Sequence, residues 1–225
     1  MINNFEKINK SLIKRNRSEK TFKFFGLLGI IFAISFLVVI LSSIFIEGKK
    51  AFVSTYIKVE VFFDSKIIDP DNTKKDSEIK FANFKKIISN SLLKNFPDVT
   101  DRKDKIKLSS FISSSEEDNL MSLVLNDKTL INQTKNLWLL ASSTIDVINK
   151  NPEMVKFNEE ERLIDNKELE WFQKMQSEEK VKFSANNNFF TKADSTEPEQ
   201  AGIWGALMGS FFTLFVTLIL SFPIA

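Results

Sequence analysis

The sequence predicts a membrane protein in which two transmembrane α-helices flank an α+β extracytoplasmic domain. Three observations carry this. Phe24 to Ile46, FFGLLGIIFAISFLVVILSSIFI, is an uncharged run bracketed by Lys23 and Glu47, and Ala201 to Ala225 is a second stretch without a charge. At about 1.5 Å rise per residue, each is long enough as a helix to cross a hydrocarbon core roughly 30 Å thick. Between them lies a segment of mixed two-residue and helical periodicity that is large enough to bury a core of its own.

The chain therefore reads as four parts: a basic cytoplasmic segment over 1–23, a first span over 24–46, an α+β domain over 47–200 and a second span over 201–225. The first span is too long for the apolar part of a cleaved signal peptide, which runs to roughly 7–15 residues, so it is expected to be retained as an anchor. Orientation follows from Lys7, Lys10, Lys14, Arg15, Arg17, Lys20 and Lys23, set against Glu6 and Glu19. Basic residues beside a span stay in the cytoplasm. The amino terminus is thus expected inside a bacterial plasma membrane, and residues 47–200 outside it, in the periplasm of a Gram-negative cell. Ile2, Phe5, Ile8 and Leu12 recur at spacings of three and four; they fit an amphipathic helix on the inner leaflet, and a basic tail that only sets topology fits equally well.

Charge and composition exclude several classes. Once the seven basic and two acidic residues of the first segment are set aside, 24 basic and 27 acidic residues remain of the 31 and 29 in the chain. So balanced a segment has no electrostatic footprint for nucleic acid. There is no cysteine and no histidine. Disulfides cannot hold the domain, and the usual general base and commonest metal ligand are missing. The acidic runs Glu116, Glu117, Asp118 and Glu159, Glu160, Glu161 read as a solvated loop and a helix start rather than a metal site. No catalytic residue, cofactor or metal ligand is assigned.

Element by element, TYIKVEVFFD places Val59, Val61 and Phe63 on one face of a strand. IIDPDNTKKDSE reads as a polar loop. Phe81, Phe84, Ile88 and Leu92 form a helical stripe that Pro97 ends. Residues 98–119 read as a polar surface excursion, or a short strand near Lys107 to Ile112. Leu130, Thr134, Leu137, Trp138, Ala141, Ile145 and Ile148 fit one face of a longer helix stopped before Pro152. Trp138 and Trp171 are expected to pack on helix faces. Asp165 and Glu168 have the form of a capping box opening a helix with Leu169, Phe172 and Met175 inward. KVKFSANNNFF reads as a further strand with Val181 and Phe183 inward. In the second span, Gly202, Gly205 and Gly209 include a GxxxG spacing that lets helices approach closely, and Pro223 removes a backbone donor that a neighbouring helix must replace. These four residues are the candidate helix-packing positions.

The run NNNFFTKADSTEPEQAGIWGALMGS with the ending SFPIA, supported by LWLLASSTIDVINK and TYIKVEVFFDSKIIDP, resembles the PstA-type permeases of phosphate ABC importers, in the subgroup with an extra domain after the first transmembrane helix. The resemblance runs from about Lys20 onward. It implies that the second helix is the first of an ABC-importer permease core, and that this chain is an amino-terminal portion of such a subunit. It further implies a sister permease, an ATP-hydrolysing subunit and an external phosphate-binding protein as partners, with no covalent chemistry in the permease itself. The rival layout is a two-span bacterial sensor or chemoreceptor whose outer domain binds a small ligand. Three glycines and a proline in the second span suit a rigid signalling helix poorly.

Overall fold

The computed structural model describes residues 2–222, and within them the side chains outside residues 2–14 and 17. The chain divides into two compact units, residues 1–50 and 51–225.

The first unit is a helix, α1 (Ile2–Gly48). Backbone over Ile2, Phe5, Ile8 and Leu12 is helical, while their side chains lie outside the described residues. Ser18–Phe52 is long and apolar enough to cross a membrane, as is Trp204–Ser221 in the second unit. Neither stretch is buried within the protein.

The second unit opens on β1 (Val53–Phe62), followed by α2 (Ser65–Ile68), α3 (Asp76–Lys80), α4 (Phe84–Asn95), α5 (Arg102–Ser109) and α6 (Ser115–Asn126). Then come β2 (Thr134–Leu140), α7 (Ser143–Lys150), α8 (Asn166–Ser177), β3 (Val181–Ala185), α9 (Asn187–Thr191) and α10 (Trp204–Ser221). The sheet is antiparallel with strand order β2-β1-β3. β1 alternates as expected: Ile57, Val59, Val61 and Phe63 are fully buried, and Lys58 and Glu60 are exposed. Burying each such large apolar side chain stabilises by about 1.5–3 kcal/mol, which fixes the register, because a one-residue slip turns all of them to solvent. α4 and α7 cover this face.

Helix starts follow local chemistry. The Asn83 side chain accepts from Lys86 N at 2.9 Å to open α4, and Asp101 accepts from Lys103 N at 2.9 Å to open α5. At α8 the capping box is complete: Asp165 accepts from Glu168 N at 2.8 Å, and Glu168 accepts from Asp165 N at 2.9 Å. Leu169, Phe172 and Met175 of that helix are buried.

Five expectations require correction. Residues 134–140, read as helix, form β2, and only residues 143–150 of that stretch are helical. The β1–β2 ladder is extended beyond Phe62 by Asn132 N donating to Phe63 O at 2.7 Å and Phe63 N donating to Gln133 O at 3.0 Å, with Asn132 at φ 68°. Register then sets Leu137 and Leu139 opposite Val59 and Ile57. Trp138 consequently stands on the other face of the sheet, opposite Lys58, and not on a helix; Trp171 does pack in the core, beside Phe96 and Phe111. Residues 98–119 are no surface excursion: they build α5 and the start of α6, and Leu108, Phe111 and Ile112 are buried. The polar loop after β1 contains two short helices that bury Ile68 and Ile79, while Phe81 lies beyond α3 at 91 % exposure, outside the α4 stripe. Finally, the strand read over KVKFSANNNFF is confined to β3 (Val181–Ala185), since Asn187–Thr191 form α9, and Phe183 is half exposed. It pairs with Thr55, where Thr55 N donates to Asp146 Oδ1 at 2.8 Å and Asn149 donates to the Thr55 hydroxyl at 3.1 Å. That end of the sheet face is polar and offers Phe183 no apolar cover.

Candidate functional site at the junction into the second apolar helix

The junction begins where β3 ends. Asn186 N donates to Phe52 O and its side-chain Nδ2 to Ala51 O, both at 2.9 Å, while its Oδ1 accepts from Phe189 N at 3.2 Å. A single short amide thus joins the start of β1, the end of β3 and the first turn of α9. Phe189 and Phe190 of α9 close on Phe52, with ring centroids 5.4 and 5.7 Å away and 5.1 Å from one another. Edge and stacked arrangements at these distances are attractive beyond the area they bury.

The far end of α9 receives α10. Gly202 N donates to Ala193 O at 2.9 Å, Ile203 N to Phe189 O at 2.8 Å and Trp204 N to Lys192 O at 3.2 Å. A helix start leaves its first N–H groups without intrahelical partners, and hydrocarbon offers no water to replace them. Here the carbonyls of α9 and of the residues after it supply acceptors. The close approach explains Gly202: a Cβ there would stand 2.1 Å from Lys192 O and 2.5 Å from Asn188 O, both backbone atoms.

The candidate helix-packing positions therefore separate. Gly202 is required inside the chain, a Cβ on Gly205 would lie 3.0 Å from the Ala193 Cβ, and Gly209 has nothing within 4 Å. Of these three, Gly209 is the one open to a neighbouring helix. Pro223 lies outside the described residues.

Behind the junction is a buried carboxylate. Glu116, at 6 % exposure, accepts from Leu140 N and from the Asn119 side chain, each at 3.1 Å. Burial pushes its carboxyl above the ordinary glutamate range, against the pull of those two donors and the Lys192 charge. The Tyr56 hydroxyl is pushed up as well, by burial and then by the Glu116 charge. Because the folded protein holds the Glu116 proton more tightly than the unfolded chain does, its contribution to stability is full below the ordinary value. It is lost as pH rises through the raised one. Glu116→Gln keeps an acceptor for both donors and cannot ionise. It is expected to gain stability relative to the parent as pH rises from about 4 to about 7, across the glutamate range; urea midpoints that keep a constant gap over that range would contradict this.

The open face of the sheet presents the other polar feature. Lys182 and Lys58 stand over the Trp138 ring, 4.1 and 6.0 Å from its centroid. Beside them is a hollow of about 270 Å³ lined in part by Glu60, Asn95, Asn136, Glu178 and Lys180. Lys180 there pairs with Glu178 at 2.7 Å and donates to Asn95 Oδ1 at 3.0 Å, so its charge is already satisfied.

Sequence reasoning missed Asn186, Phe189 and Glu116. An Asn three residues before a main-chain donor is a helix-start signal, and it lay unread within the asparagine run. Glu116, read from the sequence as part of a solvated acidic run, is instead buried in the first turn of α6, because β2 ends beside it and Leu140 N donates to its carboxylate. Residues 9–159 match the family model described as Domain of unknown function (DUF3333), a stretch that takes in most of α1 and most of the α+β fold. No curated protein and no solved structure matches the chain.

Proposed function

The chain is a member of the DUF3333 family, and we propose that it serves as a membrane-spanning permease subunit of an ATP-driven phosphate importer, contributing α10 to the translocation pathway. The observation that carries this reading is the junction. α10 is not hung on a slack tether but is fixed to the α+β unit by three main-chain hydrogen bonds and a glycine that admits no side chain. A helix that shares the lining of a path with others needs such a defined entry point. The permease-like sequence GIWGALMGSFFTLFVTLILSFPIA, beginning at this glycine, supports the same reading.

In this proposal the basic amino terminus is cytoplasmic, α1 and α10 cross the plasma membrane, and the α+β unit stands outside. A phosphate anion needs a lined, water-accessible route through hydrocarbon, which α10 builds together with further helices of the assembly. A sister permease completes the path, an ATP-hydrolysing subunit drives alternating access, and an external phosphate-binding protein delivers the anion. The α+β unit contacts one of these extracytoplasmic partners. The sensor layout has less support: the helices of the α+β unit before α10 reach 12 residues, and α1 gives way to a strand rather than continuing into the fold.

The test is uptake. Inactivating the gene in its own host is expected to abolish high-affinity uptake of labelled orthophosphate, and the intact gene to restore it. Undiminished phosphate uptake in the inactivated strain would set the reading aside. A gene lacking residues 50–195 that still restores uptake and complex assembly would remove the proposed contacts of the α+β unit alone.

A further inference from the structure

We propose that the aromatic cluster of the junction is a lipid-contact surface that seats the α+β unit on the bilayer at the boundary between headgroups and acyl chains. The inference rests on the reading of α10 as a membrane span.

Phe52, Phe190, Ile203 and Trp204 are 41, 53, 43 and 50 % exposed. They are not scattered. Phe52 and Phe190 stack, Phe189 sits edge-on to both, and Ile203 N is bonded to Phe189 O. Connected apolar surface of this kind on a folded unit marks something that covers it.

What covers it follows from where the apolar helices end. Phe52 is the last residue of the helical stretch Ser18–Phe52, with Glu47, Lys49 and Lys50 between it and the uncharged run that ends at Ile46, and Trp204 is the first of Trp204–Ser221. The cluster thus holds the last residue of one stretch and the first of the other. A bilayer of about 40–45 Å with a hydrocarbon core of about 30 Å leaves an interfacial zone of only several Å on each side. α9, tied by main-chain hydrogen bonds to the first residues of α10, cannot leave that zone while α10 remains inserted. Aromatic rings are the side chains that favour this depth, and Phe and Trp supply the buried face of segments that lie along it. The partner is therefore a lipid surface.

The absence of cysteine from the chain permits single labels. The full chain carrying a nitroxide at Phe190→Cys is reconstituted into vesicles of phosphatidylcholine with phosphatidylglycerol. Power-saturation EPR then compares collision with oxygen, which concentrates in lipid, and with a nickel chelate, which stays in water. Leu214→Cys within α10 is the lipid reference, and Phe81→Cys, at 91 % exposure, is the aqueous one. The expected result is an oxygen-to-nickel ratio at position 190 close to that at 214 and well above that at 81. A ratio at 190 equal to that at 81, with 214 in lipid, overturns the seat and leaves the span standing. Aqueous values at all three positions overturn both. A label at 190 closed to both reagents means that protein covers the cluster, and this also overturns the proposal. Should Phe190→Cys lose its native circular dichroism, Phe52→Cys, at the other exposed ring of the cluster and outside α10, provides the comparison.

Discussion

Replacing Phe111 by alanine lowers the unfolding free energy of the α+β unit by about 3–5 kcal/mol, the range for removing a buried aromatic ring from a core that cannot collapse around the gap. Phe111 is 1 % exposed, and its ring centroid is 6.3 Å from that of Trp171 on α8. Its surroundings are pinned. Ser142 N donates to Phe111 O at 2.9 Å, and the adjacent Ile112 bridges to Ala141 at the end of β2. Relaxation into the vacated volume would have to break these contacts. Denaturant unfolding followed by tryptophan fluorescence measures the change, with Phe81→Ala as a surface control expected within about 0.5 kcal/mol of the parent. A loss below about 1 kcal/mol at position 111 would return this segment to the periphery of the fold.

Gly202→Ala is expected to destabilise the junction by about 1–3 kcal/mol, the cost of forcing a methyl group into a filled space. The cost lies at the upper end because the obstructing atoms are the carbonyl oxygens of Lys192 and Asn188, which no side-chain rotation can clear. The readout is tryptic cleavage after Lys192, which requires local opening of the α9 to α10 connection. Cleavage should accelerate in Gly202→Ala. Gly209→Ala should leave it unchanged, since nothing lies within 4 Å of that position and alanine is the better helix former. Equal protease resistance in Gly202→Ala and the parent would mean that the junction is not packed as described.

How much of this was legible beforehand depended on whether the signal was local. The two apolar helices declare themselves by length, β1 by the alternation of Val59, Val61 and Phe63 with Lys58, Glu60 and Phe62, and α8 by its capping box. β2 did not, because NLWLL is apolar at both helical and strand spacing. A lone strand is not stable, however, and β1 required partners from somewhere in the chain; that argument favours a strand at 134–140. The runs DRKDK and SSSEED concealed α5 and α6, since a helix of many charges whose buried apolar residues are Leu108 alone, or Leu120 and Val124, has a weak periodic signal. Of the candidate site, Gly202 was visible as a glycine near a span, but its reason was not. The atoms that forbid a side chain there belong to residues ten and fourteen positions earlier, brought back by a turn with no sequence signature. Glu116 is buried only because β2 ends beside it.

The pairing of β1 with β3 has a mechanical consequence. The antiparallel register puts Val53 opposite Ala185, so the chain leaves the sheet toward α1 and toward α10 from the same end of one ladder. A lateral force that separates the two apolar helices therefore loads that ladder in peeling geometry, one rung at a time, and not in shear across all its rungs together. Peeling meets the Asn186 bonds to Phe52 O and Ala51 O first. That asparagine is the clasp of the sheet: it yields before the core does, and any tension between the two helices is concentrated on it.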